Sequence, residues 1–206
     1  MEKEAKTNYP INEFARKRWS PRAFLDKPVE KEKLLSLFEA ARWSASGGNE
    51  QPWRFIIGLR PDETWQKIFS ALDAGNQLWN GLVPVLIITV GNKISSFDGT
   101  ISPFFQYDVG QSVAHLSIEA MNKGLHVHQM GGYSMEKARE LFEIPDGYQP
   151  LAAIAIGYMG DPETLPEKLK IREYQERKRK ELSELVFSGK FGNTASIIPH
   201  PKSSSR

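Results

Sequence analysis

Apolar positions recur along this chain with two different periods. From Glu30 to Trp43 they fall three and four residues apart, so that Leu34, Phe38 and Ala41 share one face, and the spacing predicts an amphipathic helix entered from Pro28. Pro61 opens a second such run, with Trp65, Ile68, Phe69 and Leu72 directed inward. A third extends from Phe104 to Lys123 through Val109, Val113, Leu116 and Ala120, with Gly124 as its stop. Ser134 is placed to cap a fourth, running to Phe142 and ended by Pro145.

The remaining apolar runs are short and continuous. Pro52 forces an extended approach to a strand over Arg54–Leu59, while Val85–Val90 and Leu151–Tyr158 read as central strands buried on both faces. Helices and strands thus interleave, and pattern alone predicts an α/β fold with a parallel sheet. Neither G-x-G-x-x-G nor a P-loop follows any predicted strand, so a dinucleotide-binding reading has no motif behind it.

Composition narrows the picture. A chain of 206 residues, 40% hydrophobic and 25% charged, suits one globular domain. A formal net charge of +2 supplies no field that argues for nucleic acid or a membrane surface as partner. The absence of cysteine removes disulfides, thiolate nucleophiles and cysteine-ligated metals. MEKEAKTNYP lacks the apolar centre of a signal peptide, and the longest apolar run, VPVLIITV at 83–90, is too short to span a bilayer. The expectation is a soluble, cytoplasmic protein, with a serine-rich tail from His200 to Arg206.

Two segments carry candidate chemistry. Arg18-Trp-Ser20-Pro-Arg22 sets two guanidiniums and a hydroxyl where they can converge on a phosphate monoester, although the same residues also suit a solvated basic face. Ser46-Gly-Gly-Asn49-Glu-Gln51-Pro-Trp53 joins paired glycines, which expose backbone N–H groups, to amides that both donate and accept. A polar turn before a core tryptophan is the alternative. His126-Val-His128 would share a face on a strand, but with no third ligand nearby these read as structural histidines, and no metal is expected. Trp65 and Trp79 read as core or dimer contact. Asp108 and Glu119 read as capping or pairing groups.

Taken together, R-x-S-x-R, a helix of intervening chain, and S-x-x-N-x-Q-P-W-x-F resemble the opening of the nitroreductase family. Phe105–Gly132, Leu151–Gly157 and the basic stretch from Arg177 to Gly192 are similar to later parts of that family. The resemblance implies an α+β sandwich with a mixed, mainly antiparallel central sheet flanked by helices, in place of the parallel sheet. It implies a single FMN-binding domain over 1–192, a tail over 193–206 and an intertwined homodimer. Arg18, Ser20 and Arg22 would hold the FMN phosphate and ribityl end, and Arg177 and Arg179 would close over the phosphate. Ser46, Gly47 and Asn49 would reach the flavin of the partner subunit, Gly131 and Gly132 would bring backbone against its ring, and Gln106 would line it.

Two departures stand out: Ala45 where the family often has proline, and Gly47 where it often has a second serine. Phe104 and Phe105 read as core or as cover of a small-molecule acceptor's pocket, with Phe104 expected to line that pocket. The implied activity is ping-pong hydride transfer from NADH or NADPH to a nitroaromatic, quinone or similar acceptor. Dehalogenation, enone reduction or flavin binding without turnover remain alternatives on the same scaffold. By propensity Pro166–Phe187 would run as one helix, whereas the resemblance calls for a break near Arg177–Lys180. The basic run there lacks the interleaved aromatics of a nucleic-acid contact.

Overall fold

A computed structural model describes residues 3–199, which fall into two compact units divided between Gln175 and Glu176. The serine-rich tail from His200 lies outside the described residues.

The first unit is built on four strands, β1 (Trp53–Leu59), β2 (Val85–Asn92), β3 (His126–Met130) and β4 (Tyr148–Gly157), in the order β1-β2-β4-β3. Every neighbouring pair is antiparallel. This corrects the parallel sheet expected from the pattern and agrees with the sandwich implied by the family resemblance. The misleading signal has a simple cause: helices cover both faces of the sheet, so its central strands are apolar on both sides, as parallel strands usually are.

On one face, Val85 and Ile87 of β2 and Ile154 and Ile156 of β4 pack against α2 (Lys31–Arg42) and α5 (Phe105–Asn122) through Leu34, Leu37, Ala41, Val113 and Leu116. On the other, Leu86, Ile88, Ala153 and Ala155 meet α3 (Glu63–Ala71) and α4 (Ala74–Asn80) through Trp65, Ile68 and Trp79. Both tryptophans are thus core residues. The register of β2 against β4 slips between Thr89 and Val90, where Pro150 has no N–H to give. There the Thr89 hydroxyl donates to the Ala152 carbonyl and accepts from the Ala152 N–H, both at 3.0 Å.

Local signals set most boundaries. Asp62, Asp73 and Ser134 accept bonds from the first turns of α3, α4 and α6 (Met135–Leu141). Gly124 adopts the left-handed conformation (φ 72°) that stops α5. α7 (Glu167–Tyr174) ends in an extended Gln175, so the charged stretch from Pro166 is not one helix.

In the second unit a 3-10 turn, Leu182–Glu184, is closed by a reciprocal bond pattern between Glu181 and Glu184. Phe187 bridges to Thr194 and lies 5.0 Å from the Phe191 ring, centroid to centroid. Arg177 and Arg179 belong to this unit, where Arg179 Nη1 donates to the Lys178 carbonyl at 2.8 Å.

Candidate functional site

Asn12 caps α1 (Glu13–Lys17) by accepting from the Phe14 N–H at 2.9 Å, and the helix ends at Arg18 in extended backbone. From there burial alternates: Trp19, Pro21 and Ala23 are buried, while Arg18, Ser20 and Arg22 are half-buried. Extended chain turns successive side chains to opposite sides. The spacing therefore sets Arg18 and Ser20 on one side, with Arg18 Nη1 3.4 Å from Ser20 Oγ, and the chain then bends at Arg22. The segment continues as a bridge between Phe24 and Met159. There Gly160 comes so close that a Cβ would stand 2.8 Å from the Phe24 carbonyl carbon.

Two side chains hold this segment from behind. His128 on β3 lies with Nδ1 2.8 Å from the Pro21 carbonyl, an acceptor, so Nδ1 carries the proton and donates it. Burial, aided by the charges of Arg22 and Arg18, pushes the His128 pKa from 6.5 down to about 4 against the pull of its bonds to backbone. His126 is likewise lowered to about 4, mainly by burial, and its Nδ1 is buried without a hydrogen-bond partner. Both rings are neutral at pH 7. Among the described residues no group of three or more His, Asp or Glu is placed to hold a metal.

The second holding group is Glu173 of α7, 1% exposed. Its Oε1 accepts from the Arg22 N–H at 2.6 Å and the Ala23 N–H at 3.4 Å, and its Oε2 lies 3.5 Å from Arg22 Nη1.

Directly after β3 come Gly131 and Gly132. The Gly132 carbonyl accepts from Asp73 N at 3.0 Å and Asn76 Nδ2 at 2.9 Å, and a Cβ there would fall 2.2 Å from Asp73 Oδ2. Gly132 is thus committed to α4, whereas a Cβ on Gly131 would meet open space.

The Ser46–Gln51 turn forms a second group. Ser46 Oγ accepts from the Gln51 N–H at 3.0 Å, the Gly47 N–H donates to buried Asp108 Oδ2 at 3.1 Å, and Gly48, Asn49 and Gln51 all have positive φ. Above it stands a small hairpin over 93–102, closed by the Ile94–Ile101 bridge. Glu50 ties the hairpin down by accepting from Ser95 Oγ, Ser96 N and Ser96 Oγ at 2.9–3.1 Å. Phe97 at its tip lies where a Gly48 Cβ would be, 2.3 Å from that position. Gln106 and Phe104, both exposed, flank the start of α5, while Phe105 is core.

The profile of the Nitroreductase family matches residues 15–78, a span that holds both motif segments. A crystal structure described as an oxidoreductase containing FMN is 35% identical to this chain, covers 91% of it and 96% of its own length, and superimposes with a TM-score of 0.86. The chain belongs to the nitroreductase family. A nitroreductase family protein from Clostridium difficile 630 is 29% identical, covering 87% of this chain and 99% of its own, with a TM-score of 0.68. An Archaeoglobus fulgidus protein provisionally named NADH dehydrogenase/NAD(P)H nitroreductase is 27% identical over 150 residues, 70% of this chain and 82% of its own.

Within this family member, three residues that the sequence did not single out organise the site. Glu173 sits among Glu, Lys and Arg along α7, and nothing local marks it as buried. Glu50 lies inside a motif whose neighbours draw the attention. Asp73 shows a trace in sequence, as an N-cap ahead of a short helix, but that helix has Gly75 and Asn76 in its first turn and escapes a propensity reading.

Proposed function

We propose that this chain is an FMN-dependent oxidoreductase that draws on NADH or NADPH to reduce a small electron-poor acceptor such as a nitroaromatic compound or a quinone. The observation that carries the reading is one short segment in which Arg18, Ser20 and Arg22 stay half-buried between buried neighbours, with Arg18 and Ser20 in contact. These donors fit a phosphate monoester dianion, which takes forked guanidiniums and a hydroxyl. The histidines behind them are neutral and add no positive charge there. Likeness to a structure described as containing FMN, and to a relative named for NAD(P)H, supports the same choice.

FMN, when bound, supplies the hydride-transfer chemistry. The chain's own residues bind and orient it: Arg18, Ser20 and Arg22 at the phosphate and ribityl end, and the backbone at Gly131 and Gly132 beside the ring. In this reading the working unit is a homodimer, with Ser46, Gly47 and Asn49 reaching the partner's flavin, Gln106 lining it and Phe104 lining the acceptor pocket. Large exposed apolar side chains on linked elements support a dimer: Trp43 at the end of α2, Phe97 on the hairpin, and Phe104 and Tyr107 at the start of α5.

The visible spectrum tests the cofactor. A yellow protein after reconstitution with FMN is expected, and a colourless one refutes the reading. Anaerobic bleaching by NADH or NADPH, with parallel-line kinetics toward a quinone, is expected of the enzyme; FMN that stays oxidised would mark a flavin binder without turnover. Arg22→Ala should weaken FMN binding by about ten-fold or more, as loss of a charge-assisted bond does.

A further inference from the structure

The Pro21 carbonyl and the Arg22 N–H belong to one peptide unit. In a trans peptide these groups point in opposite directions. His128 holds the carbonyl and Glu173 holds the N–H, so the plane at the centre of the R-x-S-x-R segment is gripped from both sides.

A carboxylate is a costly choice for this grip. Burying it forfeits hydration, and an amide oxygen would serve the two backbone N–H groups as well. What only the carboxylate adds is charge, and the charge lies beside the Arg22 guanidinium through Oε2. Arginine has five donors in a rigid fork. With one edge beside Glu173, the fork keeps further donors for a phosphate.

We propose that Glu173 is a positioning residue for phosphate recognition: it fixes the backbone of Arg22 and aims its guanidinium, so that the pocket selects a phosphorylated flavin over the dephosphorylated one. This rests on the FMN reading above and adds to it a residue 151 positions away in sequence. The role differs from bulk stability, because a residue that only supports the fold would weaken both flavins alike.

The test is titration of the full-length apoprotein with FMN and, separately, with riboflavin, following flavin fluorescence. In Glu173→Gln, which keeps an acceptor oxygen for the backbone but removes the charge, the FMN-to-riboflavin affinity ratio should fall by about ten-fold while riboflavin affinity stays within about two-fold. Glu173→Asp, which keeps the charge but withdraws it by one methylene, should lower the ratio by a smaller factor, and it serves if the glutamine variant does not fold. In an Arg22→Ala background, Glu173→Gln should leave the ratio unchanged, since the group it aims is gone. A ratio unaltered by both Glu173 variants, or lowered equally with and without Arg22, overturns the proposal. Should the wild type itself bind FMN and riboflavin equally, the phosphate reading falls instead, and the two failures are told apart.

Discussion

His128 and Glu173 grip the same peptide unit by unlike means, one as a neutral donor and one as a buried acceptor. The neutral donor brings a pH dependence whose sign is fixed. With a folded pKa near 4 and an ordinary value of 6.5, His128 takes up its proton in the unfolded chain first. Its contribution to stability is therefore complete above pH 6.5 and is lost as pH falls toward 4, by up to about 1.4 kcal/mol per pH unit. His126 acts in the same window and direction. Thermal unfolding between pH 7 and 4 should show this decline, and His128→Gln should flatten it; an equal slope in the variant would show that the His128 proton affinity is not depressed.

At the scale of elements, close approach decides what the sheet tolerates. Gly58 of β1 lies against α3, where a Cβ would stand 2.4 Å from the backbone N and Cα of Trp65. Backbone cannot swing aside as a side chain can, so Gly58→Ala should cost about 1–3 kcal/mol in urea unfolding. A neutral result would show that α3 slides freely on the sheet. Glu50 fastens the tip of the 93–102 hairpin, and Glu50→Ala should speed amide exchange there while leaving that of β2 unchanged; protection that persists would mean the hairpin's own bridge and backbone bonds suffice.

The elements also show what the sequence could and could not convey. α2, α3 and α5 were legible because each exposes a helical period, opened by Pro28 or Pro61 or stopped by Gly124, and both central strands because each is a short continuous apolar run. Strand direction was not, since burial on both faces looks the same in either orientation. The R-x-S-x-R spacing already brought Arg18 and Ser20 together. Glu173 and Glu50 act only through partners brought up by the tertiary fold, so no local pattern marks them.

For the whole molecule, the exposed aromatic residues near the Ser46–Gln51 turn set the expectation. Sedimentation should give a dimer, and Tyr107→Glu, which places a charge in that patch, should shift it toward monomer and lower FMN affinity with it, as the proposed sharing of the turn between subunits requires. A flavin-bound monomer of wild-type affinity would refute the shared site. Among the described residues no helix is long and apolar enough to cross a membrane.

The distance in sequence between Arg22 and Glu173 also has a consequence in time. Ribosomes add about 5–20 residues per second, so the 151 positions that separate the two take roughly 8–30 s to make. β1 and β2 can pair early, but β2 meets its other neighbour only when β4 emerges. The R-x-S-x-R segment is thus made well before the α7 side chain that binds its backbone. A nascent chain halted before α7 would carry both arginines without the carboxylate that aims one of them.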